Sequence, residues 1–147
     1  MSRKIKFAII GAGSVSFCPA TLGDILLNES IRQVDLEIAL MDILPEALRV
    51  SEGYAKAVLK TLGRQAKLSA TTNLREALEG SDFVVSAIEV ERYHYWSMDF
   101  HIPRRYGFRQ VYGENGGPGG MFHTLRNLGP TLEIAHAMEE VCPNAYL

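Results

Sequence analysis

Two glycine-rich stretches hold the residues of this chain whose types and spacing suit chemistry. The first is Gly11–Ser16, GAGSVS, and the second is Gly113–Arg126, GENGGPGGMFHTLR. Five of the thirteen glycines fall between Gly113 and Gly120. Glycine has no Cβ, so such clustering marks backbone that turns sharply or comes close to a ligand. In the first stretch Gly11, Gly13 and Ser16 occupy the three small-residue places of a dinucleotide fingerprint. These serve a tight turn, an opening through which backbone N–H groups reach a pyrophosphate, and a helix-on-strand contact that Ser is small enough to make. Ser14 and Val15 complete the loop. An anion there would lie at the start of the next helix, where unpaired N–H groups and the helix dipole favour it. Asp42, ending the next apolar run, suits the ribose hydroxyls of NAD and disfavours the 2′-phosphorylated cofactor. It lies 29 residues after Gly13, beyond the usual separation of roughly 20, and the Asn28–Val34 connection absorbs the excess. In the second stretch Glu114 and Asn115 sit inside a turn. Together the two stretches suggest a cofactor site with a substrate site beside it.

The elements that must position these residues follow from periodicity. Lys4–Ile10, Asp35–Met41, Lys67–Thr71 and Phe83–Ile88 read as buried strands. Phe17–Asn28, Pro45–Leu62 and Leu74–Glu79 read as the helices between them, the last two closed by Gly63 and Gly80. Pro19 is tolerated because it falls in a first turn. This alternation predicts an α/β fold, a Rossmann-like, doubly wound, mainly parallel sheet with right-handed crossovers. Glu89–Arg109 breaks the pattern with Tyr93, Tyr95, Trp96, Phe100, Tyr106 and Phe108. It is expected to be partly helical up to Ile102, since Pro103 disfavours helix at the preceding residue. Met121–Val141 reads as a long helix with Leu125, Leu128, Leu132, Ile134, Ala135 and Met138 on its apolar face. Ala145–Leu147 reads as the opening of a fifth strand. A domain boundary there is unusual, so residues 1–147 are expected to form an NAD-binding domain at the N-terminal end of a longer protein, or a truncated piece of one.

Composition sets the remaining bounds. The chain has 147 residues, 47% hydrophobic and 22% charged, with a formal net charge of −2, ordinary values for a globular core. There is no basic stripe for nucleic acid. The longest apolar run, Phe7–Ile10, is far too short to cross a bilayer. No signal-like segment follows the basic Met1–Lys6, so a cytoplasmic protein is expected. Cys18 and Cys142 form no CxxC and are expected to be reduced thiols. His94, His101, His123 and His136 form no HExxH-type pair, so no metal site is complete within this chain.

The whole chain resembles the N-terminal region of glycoside hydrolase family 4. The resemblance rests on GAGS at Gly11–Ser14, MDI at Met41–Ile43, SDFVVSAI at Ser81–Ile88, DFHIPRRYG at Asp99–Gly107 and GENGGPGGMFHTLRNL at Gly113–Leu128. It implies a glycosidase outside the two-carboxylate scheme. In this family NAD takes hydride from the sugar C3 hydroxyl, a base removes the acidified C2 proton, the glycosidic bond breaks by elimination, water adds and hydride returns. A divalent metal, usually manganese, acts as Lewis acid. The family's metal-binding Cys and His, its substrate-binding Asn and its Tyr base lie C-terminal to residue 147, and Cys142 is not the metal ligand. This chain alone is therefore not expected to turn over substrate, and no catalytic residue is assigned within it.

Glu114 matches a family glutamate close to the sugar, and Asn115 is a second candidate sugar ligand; both residue types are also ordinary in turns. His123 reads foremost as a packing or capping histidine, Arg126 as an ion-pairing helix residue, and Tyr93, Tyr95 and Trp96 as core or interface. Phosphosugar members of the family carry an Arg three residues before the Asp matched by Asp99. This chain has Trp96 there, which points to a non-phosphorylated α-glucoside or α-galacturonide. The full-length protein is expected to be a homo-oligomer acting on a small glycoside, without nucleic-acid or membrane partners. Two other classes fit the first fingerprint equally well: an NAD-dependent dehydrogenase of a small hydroxy acid, in which GENGGPGG has no role, and a non-catalytic nucleotide-binding module.

Overall fold

The computed structural model describes residues 3–147. The chain forms two compact units, one of residues up to Ala87 together with Ala135–Leu147, the other of Ile88–Ile134.

In the first unit β1 (Lys4–Ile10), β2 (Asp35–Met41), β3 (Lys67–Thr71) and β4 (Phe83–Ser86) pair in parallel in the order β3-β2-β1-β4. Three strands keep the bounds that alternation predicts; β4 stops two residues before Ile88. Parallel neighbours need crossovers, supplied by α1 (Phe17–Leu27), α2 (Pro45–Leu62) and α3 (Leu74–Leu78). α1 ends at Leu27 because the Asn28 side chain turns to accept from Ser30 N at 2.8 Å and opens a short 3-10 turn. Pro45 pre-sets the first turn of α2. Gly63 ends that helix at φ 60°, a left-handed conformation that glycine adopts without steric cost.

Successive strand residues point to opposite faces. Ile9, Leu36, Ile38 and Leu40 therefore meet Cys18, Leu22, Ile25 and Leu26 of α1 and Leu48, Ala55 and Leu59 of α2 in one buried cluster. The opposite face carries Lys6 and Glu37, paired in register across β1 and β2. Lys6 Nζ donates to the Glu79 carbonyl at the end of α3 at 2.7 Å, so α3 covers that face. Glu37 is buried and bonds Lys4 at 2.8 Å and Lys67 at 3.1 Å. Helices on both faces of a parallel sheet make the fold α/β, doubly wound and Rossmann-like. Its strand order reverses between β1 and β4, and ligands of such sheets bind at the carboxyl ends of the strands beside that switch point. Tyr146 makes one parallel bridge beside Phe83, with Tyr146 N donating to Asp82 O at 3.0 Å and Val84 N to Tyr146 O at 2.7 Å. Ala145–Leu147 is thus a bridge at the sheet edge rather than a strand.

The second unit holds α4 (Arg92–Arg105) and most of α5 (Gly117–Val141). Three expectations are corrected here. α4 does not stop at Ile102 but runs to Arg105. Pro103 lacks the N–H that would bond the Asp99 carbonyl four residues back, and Gln110 Nε2 donates to that carbonyl instead, at 2.8 Å. α5 begins at Gly117 rather than Met121, because Pro118 falls where a helix needs no backbone donor. Ten of the fourteen residues of the second glycine stretch, Gly117–Arg126, are therefore helix. Finally, Leu125, Leu128 and Leu132 are exposed, whereas Ile134, Ala137 and Met138 are buried. Periodicity marks an apolar stripe but not which part of it another layer covers.

Candidate functional site

The first group of site residues lies where β1 and β2 end. Gly11, at φ 82°, turns the chain out of β1. The N–H groups of Gly11 and Ala12 both donate to Met41 O at 2.9 Å, tying the turn to the end of β2. Ser51 Oγ donates to Ala12 O at 2.6 Å. Asp42 accepts from Gly13 N at 2.7 Å through Oδ2 and from Leu44 N at 2.9 Å through Oδ1. Each carboxylate oxygen keeps a further lone pair for a ligand hydroxyl. A Cβ on Gly13 would stand 2.7 Å from both Asp42 Oδ2 and Ala47 Cβ. Glycine is thus required there by the protein's own packing, before any ligand is considered.

The start of α1 is only partly capped. Ser14 Oγ accepts from Phe17 N at 3.1 Å, and Ser14 O accepts from Cys18 N at 3.2 Å. Ser16 is the N-cap residue, but its side chain caps nothing. Among the described residues the backbone N–H groups of Val15 and Ser16 have no protein partner. Val15 is exposed. Unpaired N–H groups at a helix N-terminus attract an anion, and the Asp42 carboxylate at the neighbouring strand end accepts hydroxyl protons. Cys18 and Cys142 are both buried and free, and burial pushes each thiol above its ordinary pKa. Neither is a ready nucleophile or metal ligand.

The second group lies within Ile88–Ile134. Glu114 and Asn115 are exposed in the turn that precedes α5. The Trp96 indole N–H donates to the Glu114 carboxylate. Slight desolvation by itself pushes the exposed Glu114 carboxyl upward. Its own backbone N–H, the Trp96 indole and the charges of Arg92 and His123 outweigh that and hold it below the usual glutamate range. Trp96 stacks on Phe100 with ring centroids 6.3 Å apart, and Arg92 lies over the Trp96 ring at 5.6 Å while also pairing with Glu89.

Behind this turn is an ionic cluster. Asp99 is buried and pairs with Arg126, whose guanidinium lies over Tyr95 at 4.6 Å. His123 Nδ1 faces Glu89 at 3.8 Å and Asp99 at 3.9 Å and makes no hydrogen bond among the described residues. Asn127 ties the cluster together, donating to His123 O at 3.0 Å and accepting from Val90 N at 3.0 Å. Arg126 is the ion-pairing residue its helical position suggested. Asp99 served in the sequence only as a landmark of the DFHIPRRYG motif, and neither it nor Glu89 was given an ionic role, because an isolated acid on an aromatic-rich helix carries no periodic signal. The available clue was Asp99 standing four residues before a proline. Among the described residues no group of three or more His, Cys, Asp or Glu is placed to hold a metal ion.

The family model described as family 4 glycosyl hydrolase matches residues 6–147. The chain belongs to glycosyl hydrolase family 4. Among its relatives are an alpha-glucosidase of Erwinia rhapontici, 46% identical over 97% of this family 4 chain and 31% of the relative, and an alpha-galacturonidase of Thermoanaerobacter italicus, 31% identical over 97% and 30%. A solved structure of a 6-phospho-alpha-glucosidase from gut microorganisms, in complex with NAD and Mn2+, superposes with a TM-score of 0.84 at 24% identity, over 97% of this chain and 32% of that one. The family 4 chain spans about a third of the length of these proteins. Among its described residues no helix is long and apolar enough to cross a membrane.

Proposed function

We propose that residues 1–147 are the NAD-binding, Rossmann-like domain of a longer family 4 glycosidase, lying N-terminal to the part that holds the metal and the proton-transfer groups. The observation that carries this reading is the match over residues 6–147 to enzymes named as glycosidases. The residues at the strand ends fit the cofactor. The unpaired N–H groups of Val15 and Ser16, beside Gly11, Gly13 and Ser14, suit a pyrophosphate, and Asp42 has lone pairs for a ribose diol. When bound, NAD supplies reversible hydride acceptance at the sugar C3, which makes elimination at C2 feasible. This chain's part is to hold the cofactor and to present Glu114 and Asn115 to sugar hydroxyls. Manganese is held by residues outside the chain. The longer enzyme is a cytoplasmic homo-oligomer.

The substrate in this reading is a non-phosphorylated glycoside, an α-glucoside or α-galacturonide. A phosphate dianion is best met by the planar fork of an Arg. Trp96 instead spends its single donor on Glu114, and the neighbouring Arg92 is engaged by Glu89. The test is hydrolysis by the full-length enzyme, with NAD, manganese and reductant, of paired free and 6-phosphorylated aryl glycosides. Faster turnover of the free glycoside is expected, with no net NADH. Preference for the phosphorylated partner overturns the substrate assignment, and net sugar oxidation overturns the glycosidase reading.

A further inference from the structure

The proline in α4 leaves a carbonyl that needs a donor, and the donor comes from the segment leading to Glu114. Gln110 Nε2 lies 2.8 Å from Asp99 O, 3.1 Å from Tyr112 O and 3.4 Å from Gly113 O. All three partners are acceptors, so the amide nitrogen must face them. Gln110 Oε1 is buried with no partner among the described residues. The side chain therefore acts here wholly as a donor. Two of the three carbonyls belong to the residues immediately before Glu114, and the third belongs to the helix that carries Trp96. Two glycines keep the contact close. A Cβ on Gly119 would collide with the Asp99 carbonyl oxygen and stand 2.5 Å from Gln110 Nε2, and one on Gly113 would stand 2.8 Å from Trp96 O. No ligand need approach these two glycines to explain them.

We propose that Gln110 is a positioning residue for Glu114: by supplying the N–H that Pro103 lacks, it fastens the Tyr112–Asn115 turn to α4 and sets the Glu114 carboxylate against the Trp96 indole. The relevance to catalysis rests on the reading of Glu114 as a sugar ligand, but the geometry does not, and the two are tested apart. The groups that face Glu114 are Trp96, Arg92 and His123, with its own backbone N–H. Fastening the turn keeps them within reach and holds the carboxyl low.

The chain has a single tryptophan, so its indole N–H gives one unambiguous NMR resonance in the 147-residue chain. That resonance is expected to titrate with Glu114, at a midpoint below the ordinary glutamate value. In Gln110→Leu the midpoint is expected to shift upward, and the thermal midpoint to fall. The double variant Pro103→Ala/Gln110→Leu restores the helical N–H to Asp99 O but nothing to Tyr112 O or Gly113 O. Its thermal stability is therefore expected to recover while the titration stays shifted, an outcome a purely structural role does not give. It also supplies the reading where Gln110→Leu alone fails to fold. An unchanged midpoint in a folded variant, or a titration that survives Glu114→Gln, overturns the proposal. Neither result bears on sugar binding, which is read separately from kcat/KM in full-length Glu114→Gln.

Discussion

At Gly13 and Asp42, packing and ligand binding call for the same residues. A methyl on Gly13 meets the Asp42 carboxylate and Ala47 at 2.7 Å, so Gly13→Ala is expected to cost about 1–3 kcal/mol of stability and to weaken NAD by displacing Asp42. Asp42→Ala removes the acceptor of two backbone N–H groups as well as the ribose partner. NAD affinity is expected to drop by about 1–3 kcal/mol, the range for bonds to a charged group. Calorimetric titration of both variants with NAD is the check, and unchanged affinity in both would remove the nucleotide site from this turn. Glu114→Gln keeps an oxygen for the Trp96 indole while removing the charge. A large loss of kcat/KM with little change in melting temperature is expected in the full-length enzyme. Wild-type activity would return Glu114 to an ordinary turn acid.

At the scale of elements, buried charges set the stability of both units. Asp99→Ala leaves Arg126 without its partner on α5, and breaking a mostly buried pair costs about 3 kcal/mol. The double replacement Asp99→Leu/Arg126→Met removes both charges and is expected to be less destabilising in urea unfolding than the single change. If the single change is the milder of the two, the pair is not what joins α4 to α5. In the sheet, burial pushes the Glu37 carboxyl up, but hydrogen bonds and charges from Lys4 and Lys67 outweigh it and hold the group below its ordinary pKa. The unfolded chain then takes up the proton at a higher pH than the folded one. The contribution of Glu37 is complete above the unfolded value and is lost as pH falls through the folded one. Melting temperature measured down the acid range is expected to decline less steeply in Glu37→Gln than in wild type. Parallel profiles would show that the cluster Lys4–Glu37–Lys67 does not carry the acid sensitivity.

Over the whole molecule, the apolar residues of α5 separate into two classes that periodicity does not distinguish. Ile134 is 3% exposed and Leu128 45% exposed. Ile134→Ala is expected to cost about 2–5 kcal/mol by opening a cavity, and Leu128→Ala to stay within about 0.5 kcal/mol in this chain. Equal losses in denaturant unfolding would mean that Leu128 is covered in solution.

The sequence by itself determined the parallel sheet, its crossovers and the first glycine turn. These depend on local patterns: the apolar runs Lys4–Ile10 and Asp35–Met41, the 3.6-residue period of Pro45–Leu62, and a left-handed glycine at Gly63. The placing of Asp42 beside Gly13 was legible too, since two adjacent parallel strands must end side by side. Tertiary structure alone decided what long-range partners decide. Pro103 stays inside α4 because Gln110 replaces its missing N–H, Lys6 is buried in an apolar strand because Glu79 offers a carbonyl, and the Glu114 carboxylate meets an indole donor because α4 carries Trp96 to it. A buried polar group is tolerated only where a partner is supplied, and a partner distant in sequence leaves no periodic trace.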